Sequence, residues 1–400
     1  MNRREFLTTG IVAGVAASAG CASSTEPAPV RTGDAVPGWR MYGRDPARTY
    51  TAPVKGNRPE STPLWSKYGD RESTLEDPVM TTDTAYVAYG PDSEYRETSY
   101  IEALDLETGR RNWRTPLDAN RIGTPLVAPD ANRVFVNAAP RTGDTGVLYA
   151  LDAQSGAIVA TRTVDDAGVG PILRTQNGIL SCRDRGTVAV RRYDSATLRK
   201  SWSRSEISRI PTASTDTVYL ATTDRTLDAL NAATGEREWT VDMGPTRIPP
   251  VLTEYGIHVL VNKSVQTYAA DGTLRRTIGL DPKITEWRVW HPIVTASSLV
   301  LNVYSLSESA DSIISIPHHG EDIRWSTVYD GGAITRIGLG GDFVADLRKG
   351  GTYAHQLVNA ESGVEKRFGE IQSPVAATGD HLLAGDQTEL IAYRWGTPSN

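Results

Sequence analysis

From residue 61 to residue 395, short apolar runs alternate with polar turns, and no stretch keeps the i, i+3, i+4 spacing of an amphipathic helix. Ala85-Tyr86-Val87-Ala88, Val134-Phe135-Val136, Val218-Tyr219-Leu220, Ile257-His258-Val259-Leu260-Val261 and Leu299-Val300-Leu301 are rich in β-branched and aromatic residues and read as strands. These runs recur in one frame. A proline followed by an apolar residue opens each unit, and a β-prone run comes about seven residues later. A third strand then ends near Ala-Leu-Asp and leads into a turn with Thr-Gly and often a tryptophan.

The units start at Pro78, Pro125, Pro171, Pro211, Pro250, Pro292, the prolineless Thr335-Arg336-Ile337, and Pro374. Their spacing of about 42 residues is that of a four-stranded propeller blade. The pattern predicts an all-β chain, an eight-bladed β-propeller of four-stranded antiparallel blades. The last unit, 371–395, has room for three strands only, while Pro63-Leu64-Trp65-Ser66 is an orphan strand with its own tryptophan. The N-terminal strand therefore closes the ring, which removes sheet edges that invite aggregation.

The turns repeat closely. Ala103-Leu104-Asp105-Leu106-Glu107-Thr108-Gly109 leads to Trp113, and Ala229-Leu230-Asn231-Ala232-Ala233-Thr234-Gly235 leads to Trp239. Two turns depart from the pattern: the one ending at Gly156 has Ala160 in the aromatic place, and Tyr193-Asp194-Ser195-Ala196-Thr197-Leu198 lacks the glycine but keeps Trp202. Asp or Asn caps such a turn, Gly takes its left-handed φ, and the indole packs between sheets. Trp65, Trp113, Trp202, Trp239 and Trp325 are read as structural on this basis.

Composition fits this picture, with 39% hydrophobic and 22% charged residues, 36 Gly and 23 Pro. The net charge of -6 and the scattered cations exclude a nucleic-acid footprint. Counting along the sequence gives 35 Arg against 7 Lys, which points to a high-GC or salt-adapted, archaeal source. Only Cys21 and Cys182 are present; with the first assigned to lipid, no intramolecular disulfide is expected, and Cys182 reads as a half-buried strand thiol.

The amino terminus reads as an address. Asn2-Arg3-Arg4-Glu5-Phe6-Leu7-Thr8 resembles a twin-arginine export signal, and Ile11 to Ala19 is a short h-region. Ser18-Ala19-Gly20-Cys21 resembles a lipobox, with Ser18 where leucine is usual, so Cys21 is the expected acylation site. The expected organisation is a signal at 1–21, a flexible spacer at 22–38 and one propeller domain at 39–400, held as a monomer outside the cytoplasmic membrane.

The Ala-Leu-Asp-x-x-Thr-Gly-x-x-x-Trp phrase at 103–113 is similar to the repeat of pyrroloquinoline-quinone-type propellers, and the resemblance covers nearly all of 61–395. That family includes quinone-dependent dehydrogenases and non-catalytic lipoproteins that assist outer-membrane assembly. The resemblance implies, for the dehydrogenases, adjacent cysteines over the quinone with a metal-binding Glu and Asn and a catalytic Asp. Here the cysteines are not adjacent and no such carboxylate set falls on a matching motif, so no catalytic residue, cofactor or metal is expected. His318-His319 reads as a polar turn without a third ligand, no Gly-x-Ser-x-Gly elbow occurs, and Gly338-Leu339-Gly340-Gly341 lacks the helix of a phosphate site.

Strand alternation places the longest connections, Tyr89 to Tyr100, Ala138 to Gly146, Tyr304 to Asp311 and the linker Asp281 to His291, on one face. Recognition is usually carried by loops on a rigid scaffold. Tyr95, Arg96, Arg141, Trp287, Arg288, Trp290 and His291 are the candidate partner-binding residues, since tryptophan, tyrosine and arginine dominate interface hot spots. Arg121, Arg209, Arg247 and Arg288 each precede a blade start and gather charge at the mouth of the channel. The function expected is a non-catalytic, membrane-anchored scaffold binding protein partners at the cell surface. The alternatives are a quinone-dependent dehydrogenase and a small-ligand sensor.

Overall fold

The computed structural model describes residues 40–41, 43–45, 49–54, 59–69, 73–91, 99–140, 145–164, 169–176, 178–182, 188–246, 248–280, 287–289, 292–305, 310–330, 332–349, 352–369, 371–386 and 388–396. Arg3, Arg4, Cys21, Tyr95, Arg96, Arg141, Arg247, Trp290 and His291 lie outside them, as do the side chains of Trp287 and Arg288.

Eight sheets succeed one another along the chain and form an eight-bladed propeller. In blade 1 the inner strand Val79–Met80, the second strand Thr84–Pro91, the third strand Ser99–Asp105 and the outer strand Arg111–Leu117 pair antiparallel in that order. The same order recurs from inner strands opening at Leu126, Ile172, Thr212, Val251, Ile293, Ala333 and Pro374. Second strands are covered on both faces by neighbouring blades, so Ala85 to Tyr89 are all buried and the sequence is continuously apolar there. Outer strands meet solvent, and Arg111–Leu117 alternates accordingly.

Blade 8 is completed by Trp65–Tyr68, which pairs with Glu389–Arg394, Trp65 opposite Ala392 and Tyr68 opposite Glu389. The N-terminal strand thus closes the ring as the repeat count requires. Two additions go beyond the four-stranded plan. In blades 1, 2 and 6 part of the incoming linker, Ser73–Leu75, Arg121–Ile122 and Trp287–Val289, adds a strand to the far end of the second strand. In blade 7, Thr51–Ala52 runs parallel to Gly338–Leu339.

The tryptophans act between blades. Trp65 Nε1 donates to Leu106 O (2.8 Å), Trp113 to Ala153 O (3.0 Å), Trp202 to Ala232 O (3.1 Å), Trp239 to Ala270 O (2.7 Å) and Trp325 to Ala360 O (2.9 Å), each acceptor lying in a turn of the next blade. The glycine of that turn lies against the indole. A Cβ on Gly156, which has φ of 72°, would come within 2.5 Å of Trp113, and one on Gly235 within 2.6 Å of Trp202. Asp105, Asp152, Asp194, Asn231 and Asn359 each accept the amide of the residue three further on, closing the turn.

The two irregular turns prove to be one compensated pair. Ala160 stands where blade 2 lacks its indole, and the facing turn of blade 3 carries Leu198 instead of glycine, at φ of 53°. Leu198 is buried in the cluster against which Ala160 packs, so its side chain fills space that an indole takes elsewhere. In blade 5, Arg276 stands at the tryptophan place and donates from Nη1 to Gly320 O in blade 6 (2.7 Å). Cys182 is fully rather than half buried, because strand Gly178–Cys182 is covered on both sides.

Candidate protein-interaction face

Strand alternation gives the ring two unlike faces. The inner-to-second and third-to-outer turns share one, the turn face; the second-to-third connections and the blade linkers share the other, the loop face. The connections flanked by Pro91 and Ser99, Ala139 and Gly146, and Ser305 and Ala310, and the linker between Gly279 and Trp287, all leave from the loop face.

The structure also pairs linkers with loops. Arg121 lies opposite Ala139 at the root of the blade 2 loop, and Trp287 and Arg288 lie opposite Ser305 and Tyr304 at the root of the blade 6 loop. At the roots of two stretches chosen separately from the sequence, 281–291 and 304–311, the described residues 287–289 and 303–305 therefore pair as one reinforced rim, and 73–75 with 89–91 in blade 1 and 121–122 with 138–139 in blade 2 do the same. At the blade 1 root, Tyr89 and Tyr100 stack with ring centroids 4.5 Å apart, and the Arg114 guanidinium lies 3.4 Å over Tyr100. Arg121 is half-buried and donates to Pro140 O (3.3 Å), while Arg209 donates to Ser208 O (3.1 Å) in the linker before blade 4.

The turn face is built differently. Arg40 O accepts from Val127 N in blade 2 (2.9 Å), Thr49 O from Val294 N in blade 6 (2.9 Å), and Tyr50 O from Gly338 N in blade 7 (2.7 Å). Blades 2 and 6 stand opposite each other in a ring of eight, so the chain crosses the axis between Arg40 and Thr49. Met41 is buried beside Leu126 and Ile172, and Tyr50 and Ala52 beside Ile337 and Leu339. The segment joins these blades at the turn-face ends of their inner strands. Gly338 and Leu339, part of the glycine-rich stretch noted in the sequence, are taken up by this crossing.

A polar cluster missed by sequence reasoning lies in blade 7 and reaches Ser373 ahead of blade 8. The buried Asp346 carboxylate accepts from Arg336 Nε (2.5 Å), His355 Nδ1 (2.5 Å) and Ser373 Oγ (3.2 Å). Burial opposes its ionisation, but the His355 hydrogen bond and the Arg336 charge outweigh burial and hold Asp346 below the usual carboxylate range. Asp77, in the linker before blade 1, is exposed, but the protein crowded around it raises its pKa against the pull of Arg336. The available signal was the missing proline: Arg336 sits at a register shift between Thr335 and Ile337, where the inner strand bulges.

His318 and His319 form a turn, as expected. His318 is buried with Nε2 against Thr295 O (2.9 Å) and its ring stacked on Tyr255, while His319 meets Tyr255 edge-on. Among the described residues no three His, Cys, Asp or Glu side chains gather as a metal-binding group. The two cysteines, Cys21 and Cys182, are not adjacent, so the cysteine pair that the resemblance implies for quinone-dependent dehydrogenases is lacking.

Residues 97–209 and again 204–397 match the family described as outer membrane protein assembly factor BamB. The chain belongs to that family. Among solved structures, BamB from Moraxella catarrhalis superposes with a TM-score of 0.61 at 14% identity, over 85% of this chain and 99% of that one. The quinohemoprotein alcohol dehydrogenase of Comamonas testosteroni gives 0.63 at 14% identity, over 91% of this chain and 81% of that one. The quinohemoprotein alcohol dehydrogenase ADHIIG of Pseudomonas putida HK5 gives 0.63 at 12% identity over the same shares. No curated protein matches the sequence. At these identities the likeness is one of fold, and BamB-like proteins and dehydrogenases share it equally.

Proposed function

We propose that this BamB-like propeller is a non-catalytic, membrane-anchored extracytoplasmic scaffold that binds a protein partner through its loop face. The observation that carries the reading is the inequality of the faces: compact turns and the 40–52 crossing lie on one, and linker strands paired at the roots of the long connections form rims on the other. Residue 40 lies at the turn face, so a tether through 22–38 to a lipid on Cys21, exported by the Arg3-Arg4 signal, joins the body from the side away from the rims. Membership of a family described by an assembly factor supports a protein-binding role at a membrane. Tyr95, Arg96, Arg141, Trp287, Arg288, Trp290 and His291 belong to the connections that make these rims and are the proposed contacts.

The test is crosslinking and recovery of partners from membranes, comparing the native chain with Trp287→Ala plus Trp290→Ala. Partner recovery should fall at least tenfold, and equal recovery would remove the proposed face. The second reading, a quinone-dependent dehydrogenase, draws on the shared fold of the alcohol dehydrogenases. Adding pyrroloquinoline quinone and calcium should leave absorbance and dye reduction unchanged, whereas a saturable change would replace the scaffold reading. The third, a sensor of anionic small ligands at the mouth near Arg121, Arg209 and Arg247, predicts a thermal shift with such ligands.

A further inference from the structure

Next to the blade 2 position that lacks its indole, the side wall of the ring carries a groove outside the loop face. Between blades 2 and 3 lies an open groove of about 430 Å³ whose lining includes Thr161, Arg162, Thr163, Arg191, Tyr193 and Lys200. Within the described residues its wall holds three cations and no carboxylate, in a chain of net charge -6. Arg162 occupies the strand position of Thr115 in blade 1 and Arg204 in blade 3, two residues beyond the tryptophan place. Those two side chains hydrogen-bond to the turn glycine of the next blade, Thr115 Oγ1 to Gly156 O (2.6 Å) and Arg204 Nη2 to Gly235 O (2.7 Å). Blade 3 has Leu198 instead of that glycine, and Arg162 makes no such bond. Neither Arg162 nor Lys200 forms an ion pair among the described residues, and both are exposed.

The groove is bordered by an open strand. Among the described residues Ile158–Val164 pairs only with Gly146–Asp152, so its outer edge presents backbone donors and acceptors. Its sequence, Ile-Val-Ala-Thr-Arg-Thr-Val, is almost wholly β-branched, with one charge and no proline, and Ile158 and Val159 are 44% and 45% exposed. Natural edge strands are usually guarded by charge, proline or a bulge; here a bulge interrupts the register at Val159, but Ala160–Val164 keeps a regular register without proline, and a regular edge is a template for strand addition. Cationic side chains along such an edge select what pairs with it.

We infer that the outer strand of blade 2 and the adjoining groove bind an extended acidic segment of a partner protein. The segment adds as a further strand to Ile158–Val164 and places carboxylates on Arg162, Arg191 and Lys200. This surface lies on the side wall of the ring and is separate from the loop face proposed above.

The test is fluorescence anisotropy of the whole exported body with a labelled peptide of alternating valine and glutamate, in low salt. Two control peptides accompany it: one with prolines in place of alternate valines at equal charge, one with lysine for glutamate. The valine–glutamate peptide should bind saturably, at least tenfold more tightly than either control, and should protect the amides of Ile158–Val164 from hydrogen exchange. Arg162→Glu plus Lys200→Glu, both on exposed positions, should weaken it at least tenfold with the unfolding midpoint unchanged. Equal binding of the proline peptide would reduce the site to unspecific charge attraction and overturn the proposal. So would unchanged binding by the double variant, or protection of the strand by self-association of the free chain in sedimentation.

Discussion

His258 shows how one buried side chain couples this fold to pH. Its ring lies between two hydroxyls, with Nε2 2.9 Å from Thr253 Oγ1 and Nδ1 3.0 Å from Thr267 Oγ1. Burial, reinforced by the nearby Arg276, pushes its pKa down to about 3. The unfolded chain protonates this histidine near pH 6.5 while the folded chain does not, so its stabilising contribution is full above that pH and is lost as pH falls toward 3. His318, also lowered by burial, acts with the same sign. Denaturant unfolding should lose stability as pH drops from 7 to 4, by up to about 1.4 kcal/mol per pH unit for each such group. His258→Gln should flatten that slope, and an unchanged slope would count against the assignment. Asp346 makes a complementary case. Asp346→Ala leaves His355 and the partly solvated Arg336 without their buried partner and should cost about 1–3 kcal/mol, whereas Ser373→Ala, which removes one 3.2 Å contact, should cost about 1 kcal/mol.

At the scale of the element, the unit of stability is an indole in one blade held against a glycine turn in the next. Gly235→Ala forces a side chain into left-handed backbone at φ of 72° and against Trp202. It should lower stability by about 2–4 kcal/mol. The Ala160 and Leu198 pair offers a sharper measurement. Ala160→Trp alone overpacks against Leu198 and should destabilise by about 1–3 kcal/mol. Adding Leu198→Gly recreates the geometry of the other blades, so a double-mutant cycle should give a coupling of about 1–3 kcal/mol. Additivity of the two changes would show that they do not face each other. These pairs also mark how far the sequence could be read. The turn phrase, the blade starts and the closing strand were legible because each needs a particular residue at a fixed offset: Asp105 to cap, Gly109 to turn, Trp113 to wedge. The link between Ala160 and Leu198 was not, since it joins two departures from the repeat that lie 38 positions apart in the sequence and meet only when blades stack. Arg276 escaped notice for a similar reason, because a guanidinium replaces the indole by reaching a carbonyl 44 residues away. Asp346, Arg336 and His355 follow no motif at all, since the cluster draws on three strands of blade 7 whose side-chain chemistry the repeat does not constrain.

For the whole molecule the decisive feature is that the N-terminal region secures the ring twice. Trp65–Tyr68 completes blade 8, and its seam with blade 1 is laced by Lys67 to the buried Glu102 (2.7 Å), by His381 Nε2 to Glu107 (3.1 Å) and by Arg394 to Glu107. The crossing segment then holds blades 2, 6 and 7 together across the axis. Gly338 is where the crossing is most exacting. A Cβ there would overlap the Thr51 hydroxyl and reach within 2.8 Å of Ile293, although the backbone itself accepts any residue. Gly338→Ala should therefore displace Thr51–Ala52 and lower the unfolding free energy by about 1–3 kcal/mol. Limited proteolysis should then cut sooner between residues 40 and 54. Thr51→Gly removes the overlapping side chain, and in the double variant the protease resistance should return toward that of the native chain. If Gly338→Ala leaves cleavage unchanged, the segment does not join the blades at the turn face. If the double variant stays as labile as the single one, the loss arises inside blade 7 and not at the crossing, and the inequality of the two faces would have to rest on the rims of blades 1, 2 and 6 alone.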